Sequence, residues 1–290
     1  MIMSLWNNET EIQFFAEALR NFASPEQLFY NLNSGYFAYV PKNVNGEGQT
    51  LQSRNSLIGQ FTEKWTKDLF FPIAREFGYY AVNSVVCEDV GLTKRSNADL
   101  AICTTNSVNQ RPENIKLIFE IKMSIVSNYK FTVPNTLSFI GDYKSHKGNP
   151  ALLRSDSMLK AIGKSINIRV SGIESTKIPV IILGNRPIAD SYIRKVDFLK
   201  AAGVLQGFWS LNPNPTDTEY VRQTPIKGFQ TIENIQSLLE LTSELLKQEI
   251  NYFSSMIPKQ KLGEFICIAN QENSDETKAE KFLQLIREIK

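Results

Sequence analysis

The sequence predicts an α/β fold: a mixed central β-sheet flanked by helices, with helical attachments at both ends. Three observations carry that expectation. From residue 56 the segments run αβββαβαβ, so strands alternate with helices late in the order. The run Ile178-Pro-Val-Ile-Ile-Leu183 is apolar throughout, as a strand covered on both faces is. Over 56–77, Leu57, Ile58, Phe61, Trp65, Leu69 and Ile73 fall on one stripe, the pattern of a helix laid on a core.

The elements follow in order. Residues 9–22 carry Ile12, Phe15, Ala16 and Leu19 at helical spacing. Ser24-Pro25-Glu26-Gln27 starts a second helix, with a capping serine, an early proline and a glutamine reaching back. The Gly- and Asn-rich stretch 34–55 reads as a loop or short hairpin. The helix 56–77 ends at Gly78. Strands are expected over 79–87, 98–104 and 115–123, the last two as hairpin partners. A long polar stretch, 127–150, interrupts the pattern; long loops in compact domains are often functional. A helix over 152–170, a strand over 178–184, a helix over 188–202 and a strand over 207–211 complete residues 56–215 as a core. Residues 1–55 form an N-terminal helical attachment and 216–290 a mostly helical C-terminal one. In the latter, Thr231 caps a helix to 253, 262–269 reads as a strand, and Ser274 caps a final helix.

Composition narrows the function classes. With 42% hydrophobic and 21% charged residues the chain has ample core material. Its net charge is +2, so a nucleic-acid ligand needs a local basic patch. No secretory signal is visible, and no apolar run approaches the roughly 18 residues of a membrane helix. Cys87, Cys103 and Cys267 are few and widely spaced, which suits reduced thiols in a cytoplasm and no zinc cluster. A single histidine, His146, leaves little room for histidine-based metal or hydrolase chemistry. It sits in the polar loop, where a surface position or a ligand contact is expected.

The chemistry concentrates at Glu120-Ile121-Lys122, at the end of the run Ile115-Lys-Leu-Ile-Phe119. In a strand Glu120 and Lys122 share one face while Phe119 and Ile121 share the other. Asp99 opens another apolar run 21 residues earlier, a spacing that suits adjacent strands joined by a loop. Two carboxylates and a lysine at adjoining strand ends suit a divalent cation and phosphodiester hydrolysis.

With Asp99 on the second strand, Glu120-Ile-Lys122 on the third and an amphipathic helix before them, residues 56–185 resemble the PD-(D/E)xK nuclease superfamily. The size and the long loop look most like a type II restriction endonuclease. Ala98 stands where the namesake motif has proline. The resemblance implies a restriction-endonuclease-like core and Mg²⁺-dependent, site-specific cleavage of double-stranded DNA, with Mn²⁺ as a substitute. It implies metal ligation by Asp99, Glu120 and the Ile121 carbonyl. Lys122 would orient or deprotonate the water, or stabilise developing charge; Glu63, on the preceding helix, would assist. It also implies a cognate DNA methyltransferase that does not bind stably. A homodimer matches a palindromic site, and the apolar stripe 235–250 is the expected contact or else covers its own core. The alternatives are a structure-selective or repair nuclease of the same superfamily, or an inert DNA-binding module.

Basic and polar residues then mark the expected DNA contacts. Between Lys144 and Arg169 six Lys or Arg face one acid, Asp156. Among them Lys144, Lys147, Arg154, Lys160 and Lys164 are expected on phosphates, with Ser157 beside a helix N-terminus. Lys94, Arg95, Ser96 and Asn97 form a donor-rich turn before Asp99, and Asn128, Lys130 and His146 supply donors beside the active strand.

Overall fold

The computed structural model describes residues 4–45, 51–149, 151–253 and 257–288. Pro150, at the end of the expected loop, and 46–50, within the expected hairpin region, lie outside them. In chain order the elements are α1 (Asn8–Asn21), α2 (Pro25–Leu28), β1 (Tyr30–Leu32), β2 (Gly35–Phe37), α3 (Gln52–Glu76), β3 (Tyr80–Val85), β4 (Ala98–Cys103) and β5 (Ile115–Ile121). They continue with β6 (Asn128–Thr132), β7 (Thr136–Gly141), α4 (Ser155–Val170), β8 (Val180–Gly184), α5 (Ile193–Ala201), β9 (Gly207–Ser210), β10 (Phe229–Thr231), α6 (Ile235–Lys247), α7 (Lys259–Ala269) and α8 (Asp275–Arg287).

Two sheets result. A mixed six-stranded sheet has the order β10-β9-β8-β5-β4-β3; β4 is antiparallel to both neighbours, and β5, β8, β9 and β10 pair in parallel. An antiparallel four-stranded sheet has the order β1-β2-β6-β7. The alternation of β5 divides the core. Leu117, Phe119 and Ile121 pack with α3 residues such as Leu69 and Phe70, while Ile118 packs with Met158, Ala161 and Ile168 of α4. Each fully buried side chain of this size contributes about 1.5–3 kcal/mol of apolar burial. Glu120 and Lys122 share the parity of Ile118 and so emerge on the α4 side.

The caps expected at Ser24 and Ser274 form, and Asn7 caps the first helix. Asn7 accepts from Thr10 N at 3.0 Å, Ser24 and Gln27 form a capping box, and Ser274 accepts from Thr277 N at 3.2 Å. Several expectations are corrected. The stretch 127–150 is mostly the β6–β7 hairpin: its alternation buries Tyr129 and Phe131 beneath polar neighbours that make it read as a loop. That hairpin pairs with β2, so the N-terminal segment contributes strands as well as helices and joins the main core through Trp6, Phe14, Phe15 and Phe29. The segment 262–269 is helix α7, where Phe265 and Ala269, four apart, are the buried pair. Thr231 ends a short parallel strand instead of capping α6; Asn234 caps it, accepting from Ser237 N at 2.9 Å. The apolar stripe of α6 covers its own core: Leu238 is fully buried, with Ile235, Leu239, Leu245 and Leu246 packed around it. Among the described residues no helix is long and apolar enough to cross a membrane.

One buried acid ties the N-terminal layer to the central strand. Glu11 on α1 accepts from Trp6 Nε1 (3.0 Å), Val126 N (2.5 Å) and Ser127 N (3.0 Å). It therefore clamps the segment that leaves β5 a few residues after Lys122. Burial pushes the Glu11 carboxyl up to about 7, against those donors. A folded-state value above the usual one means that its stabilising contribution is present below about pH 4.5 and lost as pH rises through about 7. The difference corresponds to roughly 3 kcal/mol. Urea unfolding at pH 5 and pH 8 is expected to show the wild type losing stability relative to Glu11→Gln across that interval; parallel profiles would contradict this.

Candidate active site

The β4–β5 ladder ends at Leu100↔Phe119. One residue further on each strand, Asp99 and Glu120 stand side by side. Past the ladder the Ile121 N–H has no strand partner on this side, and Asp99 Oδ2 accepts it at 2.7 Å. Beyond β5 the chain keeps its pairing with β8, Lys122 N donating to Leu183 O at 2.7 Å. Gly184 on β8 allows the close packing behind this point, since a Cβ there would lie 2.4 Å from Leu152 Cδ1. On the other side of β4, Ser84 holds a left-handed backbone conformation, φ 55°, at the position facing Asp99. Such strain costs on the order of 1–3 kcal/mol and gathers at functional sites.

Two ammonium groups meet the two carboxylates. Lys122 Nζ lies 2.5 Å from Glu120 Oε1, 3.3 Å from the Ile121 carbonyl and 4.0 Å from Asp99 Oδ2. Lys164, from the sheet-facing side of α4, lies 3.4 Å from Asp99 Oδ1 and pairs with Glu120 Oε2. Glu120 is 8% exposed and the other three side chains 16–20%. Burial and the adjacent Asp99 push Glu120 above the usual carboxylate range, with Lys122 and Lys164 opposing. Burial disfavours the charged form of Lys164, but Glu120 and Asp99 outweigh it and hold the ammonium above its ordinary range. Glu63, half-buried on α3, is raised first by burial and then by Asp99, so it lies within the field of this cluster. Its backbone carbonyl accepts from Asn83 Nδ2 at 2.8 Å, anchoring α3 to β3.

The donor set suits a hard dication. Asp99 and Glu120 offer adjacent carboxylates, the Ile121 carbonyl joins the same cluster, and Glu120 Oε2 is held only by the Lys164 ammonium. Among the described residues no group of three or more His, Cys, Asp and Glu gathers to hold a metal. A dication here would thus rest on two carboxylates, a carbonyl and water.

Beside this cluster opens a groove of about 510 Å³, lined in part by Ile121, Lys122, Lys147, Arg154 and Ser157. The structure therefore brings these sequence-selected residues together. Within it Lys147 donates to Val44 O at 2.9 Å, and Arg154 pairs with Asp156 at 2.9 Å. Sequence reasoning missed Arg54, which also lines the groove; it donates to the carbonyls of Leu28 (3.2 Å) and Ala38 and stacks on Tyr39.

Other expected contacts lie apart. Lys94, Arg95 and Ser96 are exposed and Asn97 half-buried, in the turn before β4. Lys130 lies over the Phe37 ring, Lys144 donates to Thr218 Oγ1 and Glu219 O, and Lys160 is exposed on α4. Two expected surface donors, His146 and Asn128, are buried. His146 is 2% exposed, stacked on Tyr39 with Nε2 3.0 Å from Val126 O, and burial pushes its pKa down to about 4; it is a neutral core residue and not a surface contact. Asn128 is buried and accepts from Tyr39 N. While Lys160 projects into solvent, Lys164 pairs with Asp99 and Glu120. Its position on the stripe of Met158, Ala161, Ser165 and Ile168, which faces the sheet, is the signal that reveals it. Arg169, at the end of the basic stretch, is also buried, clasping the carbonyls of Val204, Ser175 and Ile178.

Comparison with family models, with curated proteins and with solved structures found no match to this chain.

The cluster carries its own stability prediction. Removing partners from a buried ion pair leaves charge uncompensated, at a cost of about 3–5 kcal/mol. The double variant Lys122→Met/Lys164→Met is expected to melt well below wild type at pH 8. It should recover toward pH 5, because Glu120, freed of both ammoniums, takes a proton more readily. An equal deficit at both pH values would contradict the charge pairing.

Proposed function

We propose that this chain is a Mg²⁺-dependent endonuclease that cuts double-stranded DNA at specific sequences, a type II restriction enzyme with a PD-(D/E)xK-like core. One observation carries the proposal: Asp99, Glu120 and Lys122 converge at the ends of two paired central strands, beside a groove that also takes Lys147, Arg154 and Ser157. The mixed sheet with helices on both faces is compatible with that core.

Bound Mg²⁺ would polarise the phosphate and lower the pKa of a water. The chain's own residues do the rest. Asp99 and Glu120 would hold the dication, and the Ile121 N–H fixes the Asp99 carboxylate in place. Lys122, two residues along the same strand face, would direct its ammonium at a phosphate bound beside the carboxylates. There it orients the attacking water or stabilises the charge that develops on phosphorus. The water gives up a proton to solvent as its oxygen bonds to phosphorus and one bridging P–O bond breaks, and the leaving alkoxide takes a proton from solvent. Groove residues Arg154 and Ser157 contact backbone phosphates, which gives salt-dependent affinity. A two-fold dimer would match a palindromic site, and a cognate methyltransferase would protect host DNA.

Digestion of a sequenced plasmid with Mg²⁺ tests this directly. Discrete fragments with one shared end sequence are expected, whereas cleavage only at branches or ends would favour a structure-selective nuclease. Asp99→Ala, Glu120→Ala and Lys122→Ala should each lower the rate by at least about a hundredfold while keeping a cooperative melt. Wild-type cutting by a folded Glu120→Ala protein would overturn the assignment.

A further inference from the structure

The site holds one more cation than the nuclease reading uses. Lys164 reaches the carboxylates from α4, across the sheet face from the strand that carries Lys122. Together the two lysines leave no carboxylate oxygen open. Asp99 Oδ1 and Glu120 Oε2 face Lys164; Glu120 Oε1 faces Lys122; Asp99 Oδ2 accepts the Ile121 N–H. Two carboxylates and two ammoniums make the cluster neutral as it stands.

We propose that Lys164 is a second functional lysine that both gates metal loading and contacts the scissile phosphate. This rests on the nuclease reading above. In the metal-free protein Lys164 is the counter-ion of Asp99 and Glu120, and it has to yield their oxygens before they can hold a dication. Once displaced, its ammonium lies a side chain's length from the same point, released from the two carboxylates that held it. The phosphoryl group is the anion then at hand. Charge balance supports that destination. Attack of hydroxide on a phosphodiester passes through a phosphorane carrying two negative charges. A neutral cluster that gains a dication matches those two charges only if both lysines stay cationic. With Lys164 removed, one negative charge in a poorly hydrated site goes unmatched.

The placement of α4 couples this exchange to DNA. Arg154 and Ser157, at the start of the helix, line the groove, and Lys164 lies further along its sheet-facing side. A duplex seated in the groove thus touches the same helix that positions the second lysine. A purely structural ion pair makes the opposite forecast for metal binding: its loss would disorder the carboxylates and weaken their hold on a cation.

The test separates the two lysine functions. Mn²⁺ binding to the DNA-free protein is measured by electron paramagnetic resonance, and cleavage is measured at saturating Mg²⁺. Lys164→Met is expected to bind Mn²⁺ at least about tenfold more tightly than wild type, since a competing cation is gone. It should nevertheless cut at least about a hundredfold more slowly. Lys164→Gln, which keeps a donor toward Asp99, gives the same comparison if the methionine variant does not fold, and Lys164→Arg should restore part of the rate. Unchanged or weaker Mn²⁺ binding would overturn the gating role, and wild-type cutting by Lys164→Met would overturn the phosphate contact. In both cases wild-type protein still cuts DNA, which distinguishes failure of this proposal from failure of the nuclease reading, where wild type itself neither cuts nor binds Mn²⁺ through Asp99.

Discussion

Two carboxylates forced side by side at the end of a buried ladder are the constraint on which the rest of this structure depends. Asp99 and Glu120 repel each other and are largely withdrawn from water, so each needs positive charge within a few ångströms. The fold supplies it from three directions: the Ile121 N–H along the strand, Lys122 from the same strand face, and Lys164 from the helix above. The arrangement fixes where α4 must lie and explains why a lysine occupies the sheet-facing stripe of an otherwise apolar packing surface.

The same constraint accounts for the layer outside the central sheet. The segment that follows Lys122 has to leave the sheet at a defined angle, and Glu11 holds it by accepting Val126 and Ser127 N–H groups while Asn185 pairs with Ser124. The β6–β7 hairpin then folds back onto β1–β2, with Tyr129 and Phe131 packed against Phe15 and Phe29. Buried His146, stacked on Tyr39, and Arg54, over the same ring, close the seam between that sheet and the groove. The N-terminal layer is therefore the wall of the site and not an appendage.

The central strands were legible because their signals are local. The alternation of β5 put Phe119 and Ile121 into one core and Glu120 and Lys122 on the opposite face, and the 21-residue spacing to Asp99 matched an adjacent strand. Caps at Ser24 and Ser274 were legible for the same reason. What failed depended on contacts distant in sequence. Nothing in 127–150 shows that its hairpin pairs with residues near 36, and a histidine in a polar stretch gives no sign of the tyrosine it will stack on. Helix α7 read as a strand because Phe265, Ile266, Cys267 and Ile268 are β-favouring types, and the packing of Phe265 with Ala269 overrode them. Lys164 stands out in sequence only as part of a basic stretch, four residues from Lys160, and the carboxylates it meets are far away in the chain.

The account stands or falls on whether the paired carboxylates hold a divalent cation. Crystals of the protein soaked in Mn²⁺ and measured at the manganese absorption edge test this most directly. The expected result is an anomalous peak within bonding distance of both Asp99 and Glu120, with the Lys164 ammonium moved off their oxygens. A peak elsewhere, or none while both lysines keep their ion pairs, would contradict the account and leave the cluster a structural salt-bridge network.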